Sequence, residues 1–320
     1  MVMENVYTEE NIRAIQDHIK KGGYADNYAE PTFYLITTLT FEFSVIYRIH
    51  TTPNYSPFLI SLLALFMLRI FMIFHDMCHH SFFPSDYKGL NFKVAGWIEQ
   101  WCVYPAEKWK NLHSHHHKAH GNMNIYDGTR TVITSDEYNS LETYTKKAYD
   151  VLRSPILFFP VAPFQIYFLS HVFSLEFGFL LKYSAWMCFL FRVGSTKLAL
   201  SYLTAQYLAG FIGLLLFHLQ HQVNVGYWKP FEKDDHVSKF NAELQGASVL
   251  QIPFFLEYFF NGIEYHNVHH MDARVPCYKT KQIYYDLVRK GLIKNIKIGY
   301  WQQFTSLGHT IFNSETNMYE

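Results

Sequence analysis

The sequence has few cysteines and no excess charge of either sign, and both shortages exclude classes of protein. Its four cysteines include no Cys-x-x-Cys pair, which argues against a four-thiolate zinc site and against a disulfide framework. The 27 Lys and Arg balance the 27 Asp and Glu, so no surface for nucleic acid is predicted. The first residues, MVMENVYTEENIR, contain no apolar segment of the kind found in signal peptides, so we expect no cleavable one.

Histidine and aromatic residues are abundant instead. The 320 residues include 18 His, 29 Phe and 24 Tyr, and aromatic residues make up 18% of the chain. Such a content is high for a soluble enzyme and fits surfaces that face or bind lipid. The mean hydropathy of -0.06 hides a segregation, because long apolar runs alternate with charged stretches.

Most of the histidines fall in four clusters: HDMCHH at 75–80, HSHHH at 113–117, HLQH at 218–221 and HNVHH at 266–270. The second and fourth clusters repeat the spacing i, i+3, i+4. On a helix this spacing brings three imidazoles onto one face, within a turn of one another. His75 and His79, at i and i+4, would share a face in the same way.

The four clusters together predict a metal centre, although a single such motif would more often be a hydrogen-bonded core histidine. Ionisable groups at membrane helix ends are costly, and neutral imidazole is the commonest protein metal ligand. Nine predicted ligands are too many for one ion and suit two. They are His75, His79, His113, His116, His117, His266, His269, His270 and at least one of His218 and His221. Further ligands, or residues that orient the ligands, are predicted among His218, His80, His120 and Asp76.

The remaining polar candidates have ordinary structural explanations as well. Asp127 and Asp272 could orient imidazoles, or could equally be helix caps or surface charges. Arg274 could bind a headgroup or a carboxylate, or form a structural ion pair. Structural or exposed roles are expected for the other histidines, His18, His50, His115, His171, His236 and His309.

The type of metal site is narrowed by two motifs that the sequence lacks. No His-Glu-x-x-His occurs, which argues against a zinc protease. No Glu-x-x-His pair repeats, which argues against the soluble di-iron carboxylate proteins. An all-imidazole site suits iron, among other borderline metals.

Five apolar runs, at 31–49, 56–74, 155–173, 177–193 and 198–217, are candidates for membrane helices. The connector at 50–57 has no Lys or Arg, whereas the outer flanks of the first two runs are rich in Lys. The positive-inside rule therefore predicts that the connector is outside and that His75 emerges on the cytosolic side. Glu42 and Arg69 are expected to face the bundle or lie near a helix end.

One of the last three runs is predicted not to cross the membrane, because HLQH can join the other clusters only after an even number of crossings. The run at 155–173 is favoured for an interfacial position, since Pro155, Pro160 and Pro163 disfavour a regular helix. The alternative is that 177–193, which contains Lys182 and Arg192, lies flat.

The predicted fold class is an all-α integral membrane protein with about four transmembrane helices, interfacial helices and a cytosolic helical cap that carries the histidines. Residues 1–30 form an amphipathic cytosolic segment, with a helix at 8–21 capped by Thr8. Residues 31–290 form the membrane domain, and residues 291–320 a cytosolic tail. Two shorter elements are expected, an interfacial one around Val94–Tyr104 and a non-spanning helix at 248–263.

Four ordered segments resemble the membrane fatty acid desaturase superfamily, and within it the acyl-lipid omega-6/Δ12 type. They are FHDMCHHSFFPS (74–85), WKNLHSHHHKAHGN (109–122), FHLQHQ (217–222) and NGIEYHNVHHMDARVPCYK (261–279), and the similarity runs from about residue 30 to 290. The sequence departs from the family pattern at Met77 and Cys78, where Cys-Gly is common, and at Leu112, where Glu is usual.

The resemblance implies a function and its requirements. It implies a di-iron centre, four transmembrane helices under a cytosolic cap, and O2-dependent desaturation of an acyl chain of a lipid or of acyl-CoA. It also implies that His221 is a metal ligand, and that an external donor, cytochrome b5 or ferredoxin, supplies the electrons. We expect the protein in an internal membrane such as the endoplasmic reticulum. No His-Pro-Gly-Gly haem motif occurs, so we expect no fused cytochrome b5 domain.

Two alternatives to desaturation remain. One is a hydroxylase, ketolase or acetylenase on the same scaffold, which few residues would distinguish from a desaturase. The other is a membrane protein that binds metal without catalysis, such as a zinc carrier. Transporters usually hold their ligands within the bilayer, whereas these histidines are predicted at helix ends and in cytosolic segments.

Overall fold

The computed structural model describes residues 7–84, 89–166, 176–222 and 228–320, and these are mostly helical, as predicted. The helices are α1 (Glu9–Gly22), α2 (Ala29–Thr51), α3 (Pro57–Cys78), α4 (Leu90–Cys102), α5 (Ala106–Ala119), α6 (Ser135–Ser140), α7 (Thr143–Arg153), α8 (Pro155–Phe164), α9 (Phe177–Phe189), α10 (Thr196–His221), α11 (His236–Gln245), α12 (Phe254–Phe260), α13 (His266–Met271), α14 (Cys277–Arg289) and α15 (Tyr300–Ser306). Short strands β1 (Ile133–Thr134), β2 (Ile311–Asn313) and β3 (Met318–Tyr319) form one small sheet in the order β1-β2-β3.

Among the described residues, two helices are long and apolar enough to cross a membrane, α3 and α10. They pack along each other, and α2 packs against α3. Each carries histidines at its C-terminal end, His75 on α3 and His218 and His221 on α10. The two best candidate spans therefore deliver predicted ligands to the same end of the helix pair.

The other three apolar runs differ in how much regular helix they form. The 23-residue α2 includes Glu42, which is buried, as the bundle-facing position predicts. The run at 155–173 begins with the ten-residue α8, and its second half, including His171, lies outside the described residues. The run at 177–193 forms the 13-residue α9 and continues as a π-helix over Leu190–Gly194. Which of these last two runs lies flat stays a prediction.

The amphipathic helix α1 packs on the histidine-bearing part of the molecule. Thr8 caps it, with a reciprocal hydrogen bond to Asn11. Its stripe of Ile12, Ile15 and Ile19 is buried in a core formed with α11, α13 and α14. A period of 3.6 residues brings these three isoleucines onto one face, so the first helix becomes a cover for the segment 266–270.

Two chain segments near the C-terminus depart from the simple helical expectation. A helix was expected over 248–263, but α12 covers only Phe254–Phe260. Before Pro253 the chain is extended instead, and Val249 bridges Tyr265 while Leu250 bridges Ile298. The final residues are part of the same body, because β2 pairs in parallel with β1 and Ile133 is opposite Ile311.

Candidate metal centre

Four elements bring the predicted ligands together. The last turn of α3 carries His75, and His79 caps that helix. The second source is α5, the third is His221 at the last residue of α10, and the fourth is α13. Residues about 40 to 190 positions apart in the sequence thereby meet in one buried region.

The first histidine group combines α3, α5 and α13. Ligand atoms of His75, His79, His113 and His269 all lie within 4.8 Å of one another. The Nε2 atoms of His75 and His113 are 2.8 Å apart. His117 joins this group, because its Nε2 lies 2.9 Å from Nε2 of His269 and 3.2 Å from that of His113. We call these five residues cluster A.

The second histidine group combines α5, α10 and α13. Ligand atoms of His116, His120, His221 and His270 lie within 4.8 Å of one another. Nε2 of His266 lies 3.1 Å from Nε2 of His221 and 3.1 Å from Nε2 of His270. These five residues form cluster B.

The two clusters are neighbours because two helices contribute to both. On α5, His113 and His117 belong to cluster A, whereas His116 and His120 belong to cluster B. Each pair is spaced i, i+4 and therefore shares a face, and the offset of three residues rotates one pair relative to the other. The rings of His117 and His270, one from each cluster, stack with their centroids 4.4 Å apart.

The donor set fits metal ions. A hydrogen bond between two neutral imidazole nitrogens uses a single proton, yet several Nε2 atoms converge in each cluster. The Nε2 atoms of His79, His116 and His120 are buried without a hydrogen-bond partner among the described residues. A buried nitrogen without a partner is costly in a folded protein, and a bound cation would satisfy these lone pairs.

Six of the imidazoles are held in the neutral form that binds metal. Burial, followed by the charges of neighbouring histidines, lowers the pKa of His113, His117 and His269 well below the usual 6.5. The pKa values of His79, His266 and His270 are lowered by the same two causes. The clusters therefore do not need to lose protons at neutral pH before a cation enters.

Two aspartates orient histidine ligands by holding the ring nitrogen that faces away from the cluster. Oδ1 of Asp76 lies 3.0 Å from Nδ1 of His75, and its Oδ2 accepts a hydrogen bond from the backbone N–H of Cys277. Oδ2 of Asp127 lies 2.8 Å from Nδ1 of His116, and its Oδ1 accepts from Thr129. With Nδ1 held by a carboxylate, Nε2 of each of these two histidines is directed into its cluster.

Comparison with known proteins matches this geometry to a family. The family model described as fatty acid desaturase matches residues 53–304, which include every histidine of both clusters. The chain belongs to the fatty acid desaturase family. The resemblance inferred from the histidine motifs is confirmed, and the chain combines histidine groups that could hold metal ions with helices that could cross a membrane.

Several curated desaturases are similar to this chain at modest identity. A fatty acid desaturase of Bacillus subtilis (strain 168) is 29% identical, over 68% of this chain and 63% of its own length. The sn-1 oleoyl-lipid 12-desaturase of Picosynechococcus sp. is 23% identical, over 67% and 63%. The chloroplastic omega-6 fatty acid desaturase of Arabidopsis thaliana is 26% identical, over 66% and 48%. The chain thus spans less than two thirds of the length of each of these relatives.

Two candidate ligands of this desaturase-family chain lie away from the clusters. Both ring nitrogens of His218 have other partners, Ser306 O at 2.9 Å and Thr131 Oγ1 at 3.2 Å. His80 follows the end of α3 with a positive φ of 57°, and its Nε2 lies 3.1 Å from Nζ of Lys110. Neither histidine belongs to a cluster, so the option that they bind metal directly is not supported by the geometry.

Two further polar candidates have the ordinary structural roles that were weighed for them. His115 on α5 is exposed, and its ring lies 2.8 Å from the carbonyl oxygen of Tyr126. Asp272 accepts hydrogen bonds from Tyr24 and from Arg274 at 2.7 Å each, so Arg274 forms an ion pair with its own loop.

His120 is the residue that sequence reasoning undervalued. It was expected among the ligands or the residues that orient them, but its ligand atom lies in cluster B with those of His116, His221 and His270. The signal was present in the sequence, because His116 and His120 have the same i, i+4 spacing as His113 and His117.

Proposed function

We propose that this protein is a fatty acyl desaturase that uses O2 to introduce a double bond into an acyl chain at a histidine-ligated di-iron centre. The observation that carries the proposal is the pair of adjacent all-imidazole clusters at the ends of the membrane-capable helices. Family membership supports the reaction class. The name of the sn-1 oleoyl-lipid 12-desaturase relative favours a lipid-linked acyl chain over acyl-CoA.

The proposed ligands are the nine predicted histidines together with His120. Cluster A would hold one ion with His75, His79, His113, His117 and His269, and cluster B a second with His116, His120, His221, His266 and His270. When bound, the metal pair supplies the O2-derived oxidizing power that an unactivated C–H bond requires and that no side chain can provide. Asp76 and Asp127 hold the imidazoles of His75 and His116 in position for it.

The acyl chain is proposed to reach cluster A through a narrow apolar cavity between α3, α4 and α10. Its walls include Phe71 on α3, Trp101 on α4 and Gly213 on α10. Phe71 lies one turn before His75 on the same helix, and its ring is 5.0 Å from that of Trp109, which stacks on His113 at 4.9 Å. The cavity of about 30 Å³ holds little more than one water, so side chains must move to admit a chain.

The membrane arrangement in this proposal has four crossings, with both clusters on the cytosolic face of an internal membrane such as the endoplasmic reticulum. α2, α3 and α10 supply three crossings, and the fourth comes from the run at 155–173 or the run at 177–193. An external donor, cytochrome b5 or ferredoxin, would deliver electrons from the cytosol. A cavity of about 770 Å³ supports that direction, since its lining includes His79, His117 and His270 together with Lys118 and Arg274.

The decisive experiment is fatty acid profiling of a yeast of known lipid content that expresses the full chain. We expect a new unsaturated species with the wild type and none with His269→Ala. His115→Ala is the matched control, because this exposed histidine lies on α5 outside both clusters and should leave the product unchanged.

Product and metal analysis together separate the alternatives. About two irons per chain in the purified wild type supports the proposed centre. A hydroxylated product alone would replace desaturation with hydroxylation on the same scaffold. Zinc alone, with no turnover of O2, would contradict an enzyme and favour a metal carrier.

A further inference from the structure

Arg69 is a buried cation without a counter-charge. It lies on α3 and is only 3% exposed. Its Nε donates to Thr38 Oγ1 at 2.9 Å, and its Nη1 donates to Asn261 Oδ1 at 2.9 Å and to the backbone carbonyl of Tyr258. All three acceptors are neutral. Nη2 has no hydrogen-bond partner, and Arg69 has no ion-pair partner, in the described part of the chain.

The residues around Arg69 hold its side chain in place, but they do not neutralise its charge. The guanidinium lies over the rings of Tyr258 and Tyr34, with centroid distances of 4.1 and 5.2 Å. Cation–π contacts lower the cost of burying a cation but leave its charge in place. A charged group in a membrane helix is rare, costly and usually functional. The environment of Arg69 is therefore that of a residue that binds an anion from outside the chain.

A cavity of about 360 Å³ lies next to Arg69 and is also lined by Glu264, a buried carboxyl group without an ion-pair partner among the described residues. Glu257 and Lys281 also line it, but they neutralise each other at 2.5 Å. Glu264 is 2% exposed, its Oε2 has no hydrogen-bond partner, and it forms no ion pair with a described residue. The cavity thus offers one cation and one carboxyl that nothing in the described chain neutralises.

The cavity is bordered by side chains typical of the membrane–water boundary. Phe33 lines it and is 67% exposed, while Phe254 and Phe255 on the adjoining α12 are 84% and 61% exposed. Tyr258 also lines the cavity and is 42% exposed, and exposed tyrosine rings are typical of the headgroup level of a bilayer. The position gives a lipid headgroup direct access.

This cavity is separate from the apolar cavity proposed for the acyl chain. Arg69 and Phe71 are two residues apart on α3, which places them about 160° apart around the helix, on nearly opposite faces. No residue lines both cavities among those described. The cavity at Arg69 is therefore distinct from the one proposed for the acyl chain.

We propose that this cavity binds the phosphoethanolamine headgroup of a membrane phospholipid, with the phosphate at Arg69 and the ammonium at Glu264. A guanidinium matches the geometry of phosphate oxygens, and an ammonium donates hydrogen bonds to a buried carboxylate. A headgroup without an amine leaves Glu264 unpaired. A choline headgroup has no N–H to donate. The proposal goes beyond the proposed desaturase activity and does not depend on it.

An occupied site would also support the metal centre. Asn261, which accepts from Arg69, donates from Nδ2 to Cys277 Sγ at 2.9 Å. The backbone N–H of Cys277 donates to Asp76, whose other oxygen holds His75. A bound headgroup that fixes the side chain of Arg69 would therefore also restrict the movement of Asp76, which holds His75.

The test measures lipid binding to the purified, delipidated full chain in detergent, as bound lipid and as the shift in thermal midpoint. The probes are phosphatidylethanolamine, phosphatidylglycerol, phosphatidylcholine, diacylglycerol and inorganic phosphate. We expect phosphatidylethanolamine to bind at least about tenfold more tightly than diacylglycerol, the size of one charge-assisted hydrogen bond. Arg69→Gln should abolish this difference. Arg48→Gln is the matched control, an exposed arginine on α2, and should keep it.

Glu264→Gln tests the headgroup independently of whether Arg69→Gln folds. This variant keeps the shape of the side chain and should remove the preference for phosphatidylethanolamine over phosphatidylglycerol. Equal binding of phosphatidylethanolamine and diacylglycerol by the wild type would overturn the proposal. So would saturation by inorganic phosphate alone, or an unchanged headgroup preference in a folded Glu264→Gln variant. None of these readouts requires desaturase turnover.

Discussion

At the residue scale, Asp127 is the carboxylate that fixes a ligand of cluster B. Burial alone would raise the pKa of Asp127, but hydrogen bonds from His116 and Thr129 lower it to about 2. The carboxylate is therefore charged at neutral pH and accepts from Nδ1 of His116, which leaves the lone pair of Nε2 free to bind a metal ion. We predict that Asp127→Ala lowers metal affinity or activity by about 10–100-fold.

The measurement for Asp127→Ala is metal content per chain by mass spectrometry, alongside product formation. Asp136→Asn is the control, since Asp136 is exposed on α6 and belongs to no metal-competent histidine group. Full metal loading with full activity in Asp127→Ala would show that His116 does not need a carboxylate at Nδ1 to act as a ligand.

The buried carboxyl group of Glu243 should make the free energy of unfolding depend on pH. Burial raises the pKa of Glu243 to about 8, and Lys239, 3.8 Å away, only partly opposes this. Between about pH 4.5 and 8 the folded chain keeps a proton that the unfolded chain has released. The folded state binds more protons, so stability falls as pH rises through this window.

The corresponding variant is Glu243→Gln, which removes the titrating group. We expect it to be more stable than the wild type at pH 8.5 by about 1–3 kcal/mol. This is less than the full pKa shift would give, because water in the adjoining cavity screens the carboxylate. The difference should shrink toward pH 5. Unfolding in detergent at both pH values measures it, with Glu10→Gln on the exposed face of α1 as the control. Parallel pH profiles of wild type and variant would contradict the prediction.

At the level of single residues, the helical spacing of the histidines predicted most members of the two clusters, whereas their hydrogen-bond partners could not be predicted. His75, His79, His113, His116, His117, His266, His269 and His270 were found from spacing alone, and each lies in a cluster. His218 and His221 have favourable spacing too, but His218 is held by Ser306 and Thr131. Those partners come from segments far away in the sequence, so no local pattern could separate the two histidines.

At the element scale, α1 is predicted to contribute to stability through its buried stripe. Ile15 is fully buried in the core with α11, α13 and α14. Ile15→Ala should cost about 2–4 kcal/mol of unfolding free energy, because it removes three buried carbons and leaves a cavity. Ile36→Ala on α2 is the control, since Ile36 is 57% exposed and its loss should cost less than about 0.5 kcal/mol. Equal effects of the two variants would mean that α1 is not packed on this core.

The apolar cavity lined by α3, α4 and α10 gives a prediction for the route of the acyl chain. Gly213 lines this cavity, and Gly213→Val would fill it with an isopropyl group of three carbons. We expect turnover to fall about tenfold or more while the metal content stays normal, because the chain is displaced from cluster A. Gly178→Val on α9 is the control, since a side chain added there meets nothing within 4 Å. Normal turnover in Gly213→Val would exclude this route for the chain.

Element boundaries were predictable where the pattern was local. The capped helix with three isoleucines matches α1 to within about one residue. The expected helix at 248–263 is shorter, because Pro253 begins α12 and the chain before it bridges Tyr265 and Ile298. Those bridging partners follow the segment in the chain and carry no pattern that identifies them. Propensity within the window could not reveal a long-range backbone pairing.

At the scale of the whole molecule, the convergence of the four histidine motifs was inferred from the number and spacing of the histidines, and the predicted number of membrane crossings followed from it. The sequence did not reveal that α5 and α13 each contribute to both clusters, because that depends on how the two short helices are rotated in the fold. It also did not reveal that the last residues pair with the segment after α5, through β1 and β2. Both features are properties of packing between distant segments.

The arrangement of the whole chain across the membrane gives the last prediction. The loop between α2 and α3 lies at one end of these helices, and His75 and His79 lie at the other end of α3. The C-terminal residues are at the histidine end, because Ser306 accepts from His218 and β2 pairs with β1. Cysteines introduced at Asn54 and at Glu315 should therefore be labelled from opposite sides of a sealed vesicle by an impermeant maleimide. The background is Cys188→Ser, since the other three cysteines are buried. Labelling of both positions from the same side would contradict a membrane-crossing α3.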